Sequence, residues 1–175
     1  MNLPPTFSIT PTAWLADQAI TMVTNYITNH QNVTILEFGS GCSTAFFAQF
    51  RVHITSFEHH PFWYAKVQDY LTSNAIENVT HHFMKNPYYL ACSQFTDESF
   101  DIIYVDGLDR IKCIEHTMRL VKPGGVLILD DAQHEKYNKA YELLKNWQLH
   151  SCTQEKANPV SGELQTAQTN WWIKP

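Results

Sequence analysis

The sequence predicts an α/β fold, a doubly wound parallel sheet covered on both faces, and three observations carry that prediction. Short β-branched, apolar runs alternate with segments in which apolar residues recur every three or four positions. The runs are apolar throughout rather than alternating with polar residues, which is the pattern of strands buried on both faces. Successive runs end in acids, and the first also ends in a glycine turn, where such sheets bind ligands beyond their strands' carboxyl ends. Right-handed crossovers between parallel strands then wind the helices onto both faces.

In chain order, Thr10-Pro11 reads as a helix start, a capping hydroxyl followed by proline in the first turn. Leu15, Ala19, Met22, Val23 and Tyr26 recur at helical spacing, so a helix is expected over 11–29. Residues 32–38 (NVTILEF) form a buried strand running into Gly39-Ser40-Gly41, and a helix follows from Ser43 and Thr44 to Phe50. Residues 53–57 are a second strand ending in Glu58, and Pro61 opens a helix with Trp63, Val67, Tyr70 and Leu71 on one face. A weaker third strand spans 79–84. A strong fourth, 100–105 (FDIIYV), ends in Asp106-Gly107. Residues 110–121 read as a helix, Pro123-Gly124-Gly125 as a turn, and 126–129 as a fifth strand ending in Asp130-Asp131. A helix over 135–145 and two strands near 149–154 and 168–173 complete the chain, the last two joined by a polar loop containing Asn158-Pro159 and Gly162.

With 175 residues against a typical domain of ~150, and no repeat or Gly/Ser linker, the chain reads as one domain over 1–175. Residues 1–31 form its N-terminal helical segment and 32–175 its core. The composition, 44% hydrophobic and 17% charged, excludes global disorder. A net charge of −5 gives no general attraction to phosphate backbones, so nucleic acid is not the expected partner. Before Arg51 the only charged side chains are Asp17 and Glu37, so Met1–Thr10 offers no basic targeting region. With no membrane span and four dispersed cysteines, the expectation is a cytoplasmic protein with reduced thiols and no membrane partner.

The turn Glu37-Phe38-Gly39-Ser40-Gly41-Cys42-Ser43-Thr44 admits close ligand approach at Gly39 and Gly41, with Ser43 and Thr44 able to cap the next helix. A purely structural turn is one reading. A dinucleotide fingerprint fits less well, because Thr44 stands where a third glycine belongs and Glu37 sits poorly beside a pyrophosphate. A carboxylate before the turn suits a ligand with a cationic end. Glu58, about 20 residues on, stands where Rossmann-like proteins accept hydrogen bonds from ribose hydroxyls; a solvated strand-end acid is the alternative.

Together, over roughly 32–136, these segments resemble the class I S-adenosylmethionine-dependent methyltransferases, whose first motif is an acid followed by GxG after strand one. The resemblance implies a three-layer Rossmann-like methyltransferase fold, a mostly parallel seven-stranded sheet with an antiparallel C-terminal strand. It implies S-adenosylmethionine as cofactor, held by Glu37, Gly39, Ser40, Gly41, Ser43, Thr44, Glu58 and Asp106. His59, in TSFEHHPFWY (55–64), falls where the family's second motif borders the adenine; a lone exposed histidine is the equal alternative. After strand three, Met84-Lys85-Asn86 departs from the family's adenine-contacting acid or amide.

Asp106 and Asp130-Asp131 close neighbouring strands, and carboxylates meeting in a crevice repel unless protonated or bound to a cation. The segments YVDGLDR (104–110) and VKPGGVLILDD (121–131) most resemble the metal-dependent O-methyltransferases of catechols and antibiotic sugars. That resemblance implies Mg²⁺ or another divalent cation on Asp106, Asp130 and Asp131, which would bind a substrate hydroxyl and lower its pKa. Catalytic candidates are Asp106, Asp109 as general base and His134 as base or substrate contact. The competing reading has Asp106 orienting cofactor and substrate while Asp130-Asp131 caps the next helix, with His134 a polar residue at a helix start.

The expected activity is O-methylation of a hydroxyl on a small molecule or sugar. An NAD(P)-binding oxidoreductase and a non-catalytic Rossmann-like binding module are the alternatives. His81-His82 are not expected to form a site, because adjacent strand residues face opposite ways. The tryptophans read as packing, with Trp14 placed to cover the cofactor. Short connections leave little chain for a specificity pocket, so a homodimer completing the site is a further expectation.

Overall fold

The computed structural model describes residues 7–157 and 162–175. Seven strands form one sheet: β1 Thr34–Phe38, β2 His53–Glu58, β3 Val79–Phe83, β4 Phe100–Val105, β5 Val121–Leu129, β6 Gln148–Ala157 and β7 Leu164–Ile173, in the order β3-β2-β1-β4-β5-β7-β6. The first five pair in parallel, and β7 runs antiparallel to both β5 and β6. The expected mostly parallel sheet with an antiparallel C-terminal strand is therefore present. The strand order reverses between β1 and β4, which places the ligand crevice at their carboxyl ends.

The apolar runs are explained by double coverage. In β1, Leu36 and Phe38 enter one core with Ile103 and Val105 of β4 and Leu127 and Leu129 of β5. Ile35, Ile102, Tyr104, Val126 and Ile128 enter the other. Helix α1, Asp17–Asn29, and helix α2, Cys42–Ala48, supply Ala19, Val23, Ile27 and Phe47 to this second core. Helix α3, Pro61–Ser73, joins α2 through Val67, Leu71, Cys42 and Ala45. Helix α4, Arg110–Thr117, and the short α5, Lys139–Leu143, cover the opposite face with a 3-10 turn over Tyr88–Gln94. None of the described helices is long and apolar enough to cross a membrane, and all four cysteines are free and buried.

Several local expectations are corrected. The helix expected from Thr10-Pro11 begins only at Asp17. Residues before it are pinned individually: Ala13, Leu15 and Ala16 are buried, and the Ala16 N–H donates to Thr169 Oγ1 at 3.0 Å. Long-range burial overrides the local capping signal there. The helix over 110–121 stops at Thr117 and tightens into a 3-10 turn at Met118–Leu120, so that Val121 already pairs with Phe100. Pro123-Gly124-Gly125 lies within β5 as a bulge, with Gly124 at φ 73° and its N–H bonded to Lys174 O at 2.9 Å. The helix over 135–145 divides into a 3-10 turn, Glu135–Tyr137, and α5. The final strands are longer than expected; Asn158-Pro159 and Met1–Thr6 lie outside the described residues.

Candidate functional site

The crevice is built on the turn that leaves β1. Gly39 adopts φ 97°, donates its N–H to Phe57 O at 2.9 Å, and packs so tightly that a Cβ would lie 2.6 Å from Gly107 N. Two loops at the carboxyl edge, 39–41 and 106–109, thus meet backbone to backbone. Ser40 and Gly41 continue the turn, and Trp63 lies beside Gly41. Trp14, in the coil before α1, forms an edge-on group with Phe7 and Trp63 here, so it stands next to the turn but on no helix.

Glu37 is fully buried behind this turn. Ser43 Oγ, Thr44 Oγ1 and Ser56 Oγ each donate to its carboxylate at 2.6 Å, and the Gly41 N–H donates to Thr44 Oγ1 at 2.9 Å. Burial lifts the Glu37 carboxyl to about 7, against the pull of the three hydroxyls. Glu37 stands with its oxygens turned to these three hydroxyls, holding the turn from inside the sheet. Ser43 also binds Glu37, while Thr44 binds Glu37 and in addition caps the start of α2 by accepting the N–H of its N-cap residue Gly41.

Glu58, at the end of β2 and 2% exposed, accepts from Ser40 N at 2.8 Å and from His60 N at 2.6 Å. Burial raises it to about 7 as well, against those backbone donors. It borders the crevice but in this conformation is turned onto the protein's own backbone. His59 lies 3.2 Å from Glu58 through Nδ1, with its ring 5.3 Å from Tyr88, and burial lowers its pKa. His81 brings in a residue the sequence reading set aside. Its Nε2 lies 3.0 Å from Ser40 Oγ, its ring stacks on Tyr64, and burial lowers its pKa to about 4. His82 points to the other face against Phe57, as adjacent strand residues must.

Across the crevice, Asp106, Asp130 and Asp131 each offer a carboxylate oxygen within 4.8 Å of the others. Asp130 is buried and accepts from Thr169 Oγ1 at 2.6 Å; burial and then Asp106 hold its pKa well above the usual carboxylate range. Burial raises Asp106 to about 6, and Arg110 opposes the rise. The Arg110 guanidinium was not foreseen. It contacts Asp106 Oδ1 at 2.9 Å and Asp131 Oδ2 at 3.4 Å, donates to Asp130 O at 2.6 Å and to Gly107 O at 3.1 Å, and lies over the Tyr137 ring. The Asp106–Arg110 spacing of four was the available signal, one helical turn across the start of α4.

Helix capping by Asp130-Asp131 is overturned, because Asp130 turns to Thr169 and Asp131 to Arg110, leaving the 3-10 turn at Glu135 without a side-chain cap. Asp109 is exposed at φ 51° before α4, and His134 is exposed with its ring 6.1 Å from Tyr137; neither belongs to the carboxylate group. Three carboxylates are a hard oxygen set of the kind Mg²⁺ takes. As the side chains stand, however, they do not fit a divalent ion, because a guanidinium already spans Asp106 and Asp131.

A family model described as a methyltransferase domain matches residues 36–132, more than half of the chain. Among curated proteins no sequence matches. Among solved structures, the fold is similar to a putative O-methyltransferase from Klebsiella pneumoniae at TM-score 0.72 and 15% identity, covering 99% of this chain and 84% of that one. It is also similar to precorrin-6y C5,15-methyltransferase from Geobacter metallireducens (0.68, 18% identity, 95% and 94% covered). A third similar structure is the tRNA (m1A58) methyltransferase TrmI from Aquifex aeolicus, at 0.67 and 15% identity, with 98% and 73% covered. At such identities the likeness is one of fold, and the reactions these three proteins are named for differ in chemistry.

Proposed function

The chain belongs to the methyltransferase domain family and is an S-adenosylmethionine-dependent methyltransferase; on that premise we propose that it methylates a hydroxyl oxygen on a small molecule. The observation that carries the proposal is the meeting of the Gly39 turn with the Asp106-Gly107 loop at the β1/β4 switch point. Glu58 stands on one side of this junction and a half-buried Asp106 on the other.

The residues fit the cofactor. The tight packing of Gly39 on the Gly107 backbone fixes the turn, a Cβ at Gly41 would meet only Trp63 at 3.8 Å, and Ser40, Gly41 and Glu58 supply polar groups around the turn. S-adenosylmethionine, when bound, supplies an electrophilic methyl group on a sulfonium centre. Glu37 fixes the turn from behind, so that Gly39 and Gly41 hold their positions without adjustment on binding. Glu58 exchanges a backbone partner for ribose hydroxyls. Asp106 accepts a hydrogen bond from the acceptor hydroxyl and takes its proton, for which a pKa of about 6 leaves it ionised at neutral pH. The net charge of −5 favours a small acceptor over a nucleic acid.

Calorimetry with S-adenosylhomocysteine, followed by methyl-transfer assays on a panel of small hydroxylated acceptors, tests this reading. Binding is expected in the wild type and in Asp106→Asn, with turnover lowered roughly 10²–10⁴-fold in the variant. A protein that does not bind S-adenosylhomocysteine, or an Asp106→Asn enzyme of undiminished rate, sinks the proposal.

A further inference from the structure

We propose that Arg110 is the cation around which the three aspartates are organised, so that the guanidinium stands in place of a divalent metal and fixes the position of Asp106. The proposal deepens the reading of the same site but does not depend on which acceptor is methylated. It rests on contacts that account for the Arg110 head group. Nη2 reaches Asp106 Oδ1 at 2.9 Å and Asp131 Oδ2 at 3.4 Å, Nη1 donates to Asp130 O at 2.6 Å, and Nε donates to Gly107 O at 3.1 Å. The side chain is 11% exposed and lies over Tyr137, which closes it from solvent. A planar fork with fixed donors suits this task, whereas an ammonium offers a single point of charge.

The geometry also explains why the aspartates tolerate one another. Arg110 lies between Asp106 and Asp131, while the third carboxylate, Asp130, is drawn aside by the Thr169 hydroxyl at 2.6 Å. A hard divalent ion would have to displace the guanidinium or share its ligands with it, and two cations at contact distance repel. Asp131, which Arg110 contacts, lies in the left-handed backbone region at φ 48°. Such a conformation persists where surrounding contacts over-determine it, as the Arg110 contact does for Asp131.

Metal binding to the cofactor-free 175-residue chain decides the matter without reference to turnover. Mn²⁺ and Mg²⁺ alone are titrated by calorimetry, with Mn²⁺ also followed by electron paramagnetic resonance. Wild type is expected to show no saturable binding sensitive to Asp131→Asn up to ~10 mM metal, beyond the range of weak protein sites. Arg110→Gln, which keeps length and planarity but not charge, is expected to bind Mn²⁺ roughly 10- to 100-fold more tightly than wild type, with the gain removed by adding Asp131→Asn. Arg110→Lys, which keeps the charge, is expected to bind as weakly as wild type. Saturable, Asp131-dependent binding in the wild type overturns the proposal, as does a folded Arg110→Gln protein that binds no more tightly. Should Arg110→Gln not fold, the wild-type titration decides alone. Failure of the O-methylation reading would appear instead in the S-adenosylhomocysteine and acceptor assays.

Discussion

Gly39 is the residue on which two loops depend. At φ 97° an L side chain is strained, and its Cβ would come within 2.6 Å of Gly107 N and 2.8 Å of Gly107 Cα, both backbone atoms that cannot rotate away. Gly39→Ala is therefore expected to cost at least about 2 kcal/mol, from backbone strain and overpacking together. It should also weaken S-adenosylhomocysteine binding more than Gly124→Ala, whose Cβ meets nothing within 4 Å although its φ is also positive. Denaturant unfolding and calorimetry check the pair, and equal losses in both would remove the special role of the turn. Glu37 shows the complementary case. It is legible in the sequence as the acid before the turn, yet its partners Ser43, Thr44 and Ser56 make it a buried support. Burial is a property of the packed sheet, which the motif alone does not carry.

At the level of elements, the longest reach is made by β7. Thr169 is fully buried and its hydroxyl serves two segments, accepting from Ala16 N at 3.0 Å and donating to Asp130 at 2.6 Å. It thereby ties the coil before α1 to the end of β5. Thr169→Val keeps the shape and strands both partners, so a loss of about 2–6 kcal/mol is expected, from ~1–3 for each buried group left unpaired. Amide hydrogen exchange should show faster exchange at Ala16, and an unchanged rate there would refute the link. The same contact explains why the helix starts at Asp17 and not at Pro11. Five strands and their order along the chain were readable from apolar runs, because double burial leaves no polar alternation. The bulge at Gly124-Gly125 and the shortening of α4 and α5 were not, since they depend on pairing with β4 and β7.

For the molecule as a whole, proton linkage sets the pH response. Glu37 and Glu58 are each raised to about 7, so over the interval up to that value the folded chain holds protons that the unfolded chain has released. Stability therefore falls as pH rises through this range. Asp106, raised to about 6, acts in the same sense at lower pH. His81, lowered to about 4, and His59, also lowered, act oppositely: they favour the folded state increasingly as pH rises toward their ordinary value of 6.5. The two sets offset each other below that point; above it the carboxyls act, joined at higher pH by the buried thiols Cys42, Cys92 and Cys113, whose pKa values burial also raises. The melting temperature of the ligand-free protein is thus expected to be lower at pH 8 than at pH 6.5. A Glu37→Gln, Glu58→Gln protein should lose part of that decline, with Asp130, whose pKa is also raised, keeping the rest, and a wild type that melts higher at pH 8 would contradict the assignment.

The sequence by itself determined the α/β class, the strand-end positions of Glu37, Glu58, Asp106, Asp130 and Asp131, and the methyltransferase family. Those follow from local periodicity and from motifs read along the chain. Tertiary structure decided what each acid faces. It buried Glu37 behind the turn, set His81 against Ser40 from 41 residues away, paired Asp130 with Thr169, and placed Arg110 among the aspartates. The physical reason is range: a hydrophobic period is written in neighbouring residues, whereas a buried charge finds its partner wherever the fold brings one within about 3 Å.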